Sequence, residues 1–403
     1  MSDSKKRLAF PIGDWERDVW WVLWLSLVPN VLVGNEIFSL KKCLHNYALD
    51  CIFIQHEFLE TFGGCPMNVS IIGASGYSGA ELIRILLSHP RIAIQKVFAN
   101  SSAGKRVDEL YGQFRGRTNL IYERYSLEQV SDADVIFVAL PSGEAMHIVP
   151  PLLKTGKRII DLGGDFRLKD VNAYQRYYKR EHVSAETVRC AVYGLPEWNK
   201  EQINKAQLVA NPGCYATSAI LPIIPVIRED IVEEQGIVIS SLSGVSGAGK
   251  SASLDYSFSE VNESVRAYKV AEHQHTPEIE AGISDQASRP VKVTFVPHLL
   301  PITRGIYSSI YLRLKKETGH DEIVSAFTKH YASAPFVRFN EKAIPEIKNV
   351  NYTNYCDVGF RIDETNNTLV LLSVIDNLVK GAAGQAVQNM NIMFGFEESE
   401  GLL

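Results

Sequence analysis

From Met67 onward the sequence predicts an α/β fold built on a parallel, doubly wound sheet. Two observations predict it. Short apolar strands alternate with helical patterns at an even pace, and a glycine-rich turn joins the first strand to the first helix. The stretch "MNVSIIGASGYSGAELIRILLSHP" runs from strand through turn into a helix. In that helix Ile83, Leu86 and Leu87 share a face, and His89-Pro90 ends the pattern. Then come the strands "IAIQKVFA" and "ADVIFVALPS", a helix through "EAMHIVPPLLKTG", and the strand "RIIDLGG".

The turn Gly73, Ala74, Ser75, Gly76, Tyr77, Ser78, Gly79 reads G-x-x-G-x-x-G, a variant of the usual G-x-G-x-x-G. Placed between a first strand and a helix, such glycines let a pyrophosphate approach backbone amides and the positive end of the helix. The second strand then selects the dinucleotide. An NAD site usually ends that strand with an acid for the ribose 2′-hydroxyl. Here Ser101, Ser102, Gly104, Lys105 and Arg106 come next, with no acid before Asp108. Hydroxyls and cations suit a 2′-phosphate, so NADP is expected.

Composition excludes several classes. A hydrophobic content of 46% with 22% charged residues is that of a soluble globular protein. A net charge of −5 gives no basic excess, so no nucleic-acid partner is expected. Six cysteines form no C-x-x-C pair, which points to a reducing compartment, the cytoplasm. The first 66 residues differ, with four of the five tryptophans and the run "VWWVLWLSLVPNVLV". That run is shorter than the roughly 20 residues of a membrane span, and Asp14, Glu16 and Asp18 before it spoil a signal peptide. An N-terminal extension of unknown role is expected there, with no membrane association.

"LVANPGCYATSAILPIIPVI" is a strand, a sharp Asn211-Pro212-Gly213 turn, and Cys214 at the head of an apolar helix. Helix-start amides there favour a thiolate, so a pKa below the free value of about 8.5 is expected. "AEHQHTPEIEAGI" offers His273 and His275 as bases, with Thr276 as N-cap and Pro277 as first helical residue. No third ligand of suitable spacing accompanies H-x-H, so no metal is expected.

These stretches resemble N-acetyl-γ-glutamyl-phosphate reductases. The resemblance rests on "GASGYSGAEL", "LGGDFRL", "YGLPEWN", "NPGCYATSA", "SGVSGAGK", "HQHTPEI", "PHLLPITRGI" and "DNLVKGAAGQAVQNMN", in order, across nearly all of residues 67–403. It implies NADPH-dependent reduction of N-acetyl-glutamyl 5-phosphate to the 5-semialdehyde through a cysteine thioester, in arginine biosynthesis. Cys214 is then the nucleophile and His273 the acid/base, with His275 and Arg304 on the substrate. It also implies a Rossmann-like NADP domain over 67–212 and an α+β catalytic domain of the semialdehyde and glyceraldehyde-phosphate dehydrogenase type over 213–377. That second domain forms the homo-oligomer, and a helix over 378–403 returns to the NADP domain. Asn377 lies near the nicotinamide and Gly247 against the cofactor. Aspartate-semialdehyde dehydrogenase, a carrier-linked aminoadipyl- or glutamyl-phosphate reductase, and a non-catalytic NADP-binding module stay open as alternatives.

"GVSGAGKS" (244–251) fits the ATP-binding pattern G-x-x-x-x-G-K-[ST] letter for letter. The next segment of chain, "ASLDYSFSEVNESVRAY", lacks the apolar stripe of the helix that such a loop feeds. A cofactor or substrate loop is expected instead, with Lys250 at its edge.

Overall fold

The computed structural model describes residues 66–251 and 253–403, together with the backbone of two short antiparallel strands, β1 (Asn30–Val33) and β2 (Glu36–Ser39). The expectations for the tryptophan run fall mainly outside the described residues. Residues 67–403 form one compact unit. Among the described residues no helix is long and apolar enough to cross a membrane.

The first sheet comprises β3 (Met67–Ile72), β4 (Ile92–Phe98), β5 (Tyr122–Glu123), β6 (Val135–Val138), β7 (Arg158–Asp161), β8 (Val192–Tyr193) and β9 (Leu208–Ala210). Their order is β5-β4-β3-β6-β7-β9-β8, and every neighbouring pair is parallel. The run "VIFV" of β6 is buried at all four positions because helices cover both faces. On one face Val69, Ile71, Val135 and Phe137 pack with Leu82 and Ile83 of helix α1 (Tyr77–Leu86). On the other, Ile72, Ile136, Val138 and Ile159 meet Met146, Val149 and Leu152 of α2 (Ala145–Leu153). This is the doubly wound arrangement, with β3 and β6 flanking the point where strand order reverses.

Helix α3 (Pro196–Lys205) precedes β9, and α4 (Cys214–Arg228) comes after it. Every residue of α4 from Tyr215 to Ile227 is buried, as befits a helix apolar all round. It is packed between the second sheet and the helices α5 (Thr276–Ala287) and α6 (His320–Tyr331). That sheet contains β10 (Ile237–Gly244), β11 (Arg266–Ala267), β12 (Val293–Leu300), β13 (Ile306–Arg313), β14 (Val337–Phe339), β15 (Cys356–Asp363) and β16 (Thr368–Ile375). Its order, β11-β12-β10-β13-β16-β15-β14, mixes parallel and antiparallel neighbours. After β16 a π-helical turn, Val379–Ala383, leads into α7 (Gly384–Phe394). Ala383, Val387 and Met390 then pack into the α1 side of the first sheet.

One local expectation needs correction. The N-cap of α5 is His275, and Thr276 is already helical, its hydroxyl buried without a partner. In the loop after β10, Gly249 takes a positive φ of 84°.

Candidate active site

Cys214 is the first residue of α4 and sits at the carboxyl edge of the first sheet, one turn beyond β9. The "NPG" turn that aims it is latched by a buried carboxylate. Glu278 Oε1 accepts from the Gly213 amide at 2.7 Å and from the Tyr193 hydroxyl at 2.9 Å. Its Oε2 faces Arg167 Nη1 at 3.3 Å. Arg167 in turn donates through Nε to the Asn211 carbonyl at 2.8 Å and through Nη2 to the Leu162 carbonyl at 2.7 Å. Three chain segments thus fix one peptide turn. On another side a Cβ at Gly381 would lie 2.7 Å from the Cys214 Cβ, so only glycine allows the turn before α7 to touch the nucleophile.

The two histidines flank this turn. The His275 ring packs on Gly213 so closely that a Cβ there would meet Nε2 at 2.5 Å. That same Nε2 is 3.4 Å from Arg167 Nη1, which can only donate. The proton of neutral His275 therefore sits on Nδ1, a buried atom with no partner. His273 accepts the backbone N–H of His275 on its Nδ1 at 3.1 Å, so its proton is held on Nε2. Tyr215, next to the cysteine, contacts both rings edge-on at 5.4 and 5.9 Å.

Burial governs the protonation states. It drives the His273 pKa down to about 2, with His275 and Lys269 adding to the effect, and holds His275 well below its ordinary value. It also pushes the Cys214 thiol up to about 11, against the opposing pull of Arg167 and the Tyr215 amide. The expected depression is therefore reversed: helix-start amides act here, but desolvation of the thiolate outweighs them. Glu278 raises the thiol further. Alkylation of Cys214 by iodoacetamide in the free protein should thus keep accelerating above pH 9. Glu278→Gln, which removes a negative charge and keeps an acceptor for Gly213, should shift that profile to lower pH. A wild-type profile that levels off below pH 8 would contradict this electrostatic picture.

The glycine turn forms a second part of the site. Gly73 has φ +85°, and a Cβ there would run into the Ala139 carbonyl oxygen at 2.2 Å. At Gly79 a Cβ would meet Ala74 Cα at 2.6 Å, whereas at Gly76 it would meet little, its nearest neighbour 3.6 Å away. The turn is thus packed from behind and open at Gly76. No side chain caps α1, which begins at Tyr77 and Ser78, so its first amides are left for an anion. Ser101 and Lys105 are exposed beyond β4, no acid follows that strand in the chain before Asp108, and the carboxylate of Glu123, beside the strand's end, is taken by Lys96. These residues fit NADP: an amide-rich turn for the pyrophosphate, then hydroxyl and cation for the 2′-phosphate.

The loop after β10 crosses to this turn. Lys250 Nζ lies 3.3 Å from the Ser75 carbonyl oxygen and 4.5 Å from the centre of the Tyr111 ring. The loop is a short 3-10 turn, Val245–Ala248, followed among the described residues only by the brief helical pieces Leu254–Tyr256 and Phe258–Val261, and Gly244 packs on the backbone of Thr303 and Arg304. It is not the strand–loop–helix of an ATP site. Asn377 is buried with both ends of its amide engaged. Oδ1 accepts from the Gly305 N–H at 2.8 Å and Nδ2 donates to Ser246 Oγ at 2.9 Å. Gly247 lies against it, with a hypothetical Cβ 3.7 Å from Asn377 Nδ2. Arg304, expected on the substrate, instead spends its guanidinium on Glu81 at 2.6 Å and Asp376 at 3.2 Å. Those two charges hold it, against burial, above its ordinary pKa. It ties α1 to the end of β16. Glu278, Arg167, Tyr193 and Gly381 are site residues that the sequence alone does not single out, although each lies inside a stretch that carries the resemblance.

A doubly wound nucleotide domain joined to a mixed-sheet domain defines a class, the two-domain dehydrogenases. The family description "Semialdehyde dehydrogenase, NAD binding domain" matches residues 68–206, and "Semialdehyde dehydrogenase, dimerisation domain" matches residues 214–377. An N-acetyl-gamma-glutamyl-phosphate reductase of Pelotomaculum thermopropionicum is 48% identical over 338 residues, covering 83% of this chain and 97% of that protein. One from Geobacillus stearothermophilus is 43% identical over 337 residues, covering 83% and 98%. Among solved structures, aspartate semialdehyde dehydrogenase II of Vibrio cholerae aligns with a TM-score of 0.64 at 16% identity, over 82% of this chain and 99% of that one. The Candida albicans enzyme with NADP aligns at 0.63 and 15%, over 81% and 98%. The structural likeness carries the fold alone. On the sequence matches, the chain belongs to the semialdehyde dehydrogenase family, among the N-acetyl-gamma-glutamyl-phosphate reductases.

Proposed function

We propose that the chain reduces N-acetyl-L-glutamyl 5-phosphate to the 5-semialdehyde with NADPH, releasing phosphate, as a step of arginine biosynthesis. The observation that carries this reading is Cys214, held at the domain junction by the Glu278–Arg167 latch and touched by Gly381. Its thiol attacks the acyl carbon, the C–O bond to phosphate breaks, and an acyl thioester forms on Sγ. The thiol proton ends on the departing phosphate. His273, whose Nδ1 is taken by the His275 N–H, acts through its Nε2–H, which donates to the departing oxygen as the thiol proton passes to it. The Gly73–Gly79 turn would hold the pyrophosphate of NADPH and Ser101 and Lys105 its 2′-phosphate, and the cofactor so held would supply the hydride that reduces the thioester. The resulting tetrahedral centre then collapses to aldehyde and thiolate. The first amides of α4, at whose head Cys214 sits, are the donors available to substrate oxygens.

Running the reaction backwards tests the reading. Phosphate-dependent reduction of NADP⁺ is expected with N-acetyl-glutamate semialdehyde and not with aspartate semialdehyde. A preference for aspartate semialdehyde, or for a carrier-bound semialdehyde, would overturn the substrate assignment. His273→Asn should lower kcat by roughly 10²–10⁴-fold, the usual worth of a general acid–base group. His275→Asn should act mainly on KM. The reverse pattern would exchange the two roles.

Boundaries at 66/67, 212/213 and 377/378 accompany the same reading, and a chain beginning at Met67 should retain full kcat. A homo-oligomer fits the second sheet. Val238 and Tyr311, cross-strand neighbours on β10 and β13, are 38% and 42% exposed on the face away from α4. A second copy covering them would give a light-scattering mass above that of one chain, and Tyr311→Glu should lower it. The expected site is the cytoplasm, in keeping with the free thiols Cys190, Cys214 and Cys356.

A further inference from the structure

The loop "GVSGAGKS" reaches the nucleotide turn through one side chain, and nothing in the proposed reaction uses it. Lys250 comes from the mixed-sheet domain, yet its ammonium sits on the Ser75 carbonyl of the Gly73–Gly79 turn. Tyr111 shapes the place. Its hydroxyl donates to the same Ser75 oxygen at 2.8 Å, and its ring lies under the ammonium. Lys105 is close enough to lower the Lys250 pKa, after burial the larger cause.

The charge balance around the pair is uneven. Arg106, the next cation along, is held by both oxygens of Asp108 at 2.9 and 2.8 Å, so its charge is neutralised within its own loop. Among the described residues neither Lys105 nor Lys250 has a carboxylate partner. Two ammonium groups that repel each other, one from each domain, lie at the edge where the adenosine end of a dinucleotide must pass. A phosphate dianion between them would relieve that repulsion and gain two charge-assisted hydrogen bonds.

We propose that Lys250 is a cofactor-specificity residue: together with Lys105 it holds the 2′-phosphate of NADPH, from the opposite domain. The proposal rests on NADP being the cofactor. The contact also gives the literal match to the ATP pattern a physical meaning. The lysine of "GAGK" does reach a phosphate, but through its side chain alone and on a ligand bound to another loop.

Fluorescence titration of the purified protein with NADPH, NADH and adenosine 2′,5′-bisphosphate tests the proposal without turnover. Lys250→Met should weaken NADPH and the bisphosphate about tenfold, near 1.4 kcal/mol, and leave NADH within about twofold. Lys250→Arg should recover most of the loss. The NADPH preference should also shrink with added salt more steeply in the wild type than in Lys250→Met. Equal weakening of NADPH and NADH would put Lys250 on the pyrophosphate or in the fold, and overturn the proposal. An unchanged NADPH affinity would overturn it too. Wild-type protein that binds NADPH no better than NADH would instead sink the NADP assignment on which the proposal stands.

Discussion

Cys214→Ser is expected to abolish turnover while leaving NADPH affinity within about twofold of the wild type. A serine hydroxyl is a far poorer nucleophile than a thiol near neutral pH, and the histidines that would have to activate it are neutral and desolvated. The fold should not suffer. Oxygen is smaller than sulfur, so the tight contact with Gly381 is kept, and the remaining residues of α4 carry its packing. The nucleotide turn lies on α1, a separate element. Steady-state kinetics and cofactor titration on the same preparation check both halves. Residual turnover within tenfold of wild type would show that sulfur is not the nucleophile.

The largest effect on stability is expected at a pair far from water. Lys380 Nζ and Glu197 Oε1 lie 2.6 Å apart, and both side chains are 0% exposed. Lys380 also donates to Gln388 Oε1 at 2.8 Å, while Glu197 Oε2 has no partner at all. Glu197→Ala would leave a buried ammonium with only an amide oxygen, a loss of about 3–5 kcal/mol. Activity should fall as well, because Lys380 adjoins Gly381 and so the cysteine. The double change Glu197→Leu with Lys380→Met removes both charges and should recover more than half of the lost stability. Urea denaturation of the single and double variants measures this. A single-variant loss below about 1 kcal/mol would mean that water reaches the pair.

The parallel sheet is legible in the sequence because its signals are local. Apolar runs such as "VIFV" and the glycine turn depend on residues within a few positions of one another. Cys214 is legible for the same reason, as a turn leading into a helix start. The features hidden from the sequence are long-range. Glu278 meets the Gly213 amide across 65 positions, Arg167 meets Glu278 across 111, and Lys380 meets Glu197 across 183. The thiol's pKa is misread on the same ground: helix-start amides can be inferred from neighbours, but burial depends on which segments fold over the residue. Arg304 shows the opposite error. An arginine beside a conspicuous "PITRG" turn looks like an anion site, and the fold gives it two carboxylates of its own.

The central claim is that Cys214 carries the acyl group. Protein mixed with N-acetyl-glutamyl phosphate in the absence of NADPH, quenched in acid and digested, should yield one modified peptide by mass spectrometry. That peptide should contain Cys214 with a single N-acetylglutamyl group, and one phosphate should be released per chain. Hydroxylamine, which cleaves thioesters, should remove the group. An unmodified Cys214 peptide with phosphate still released, or an acyl group found on another residue, would contradict the account.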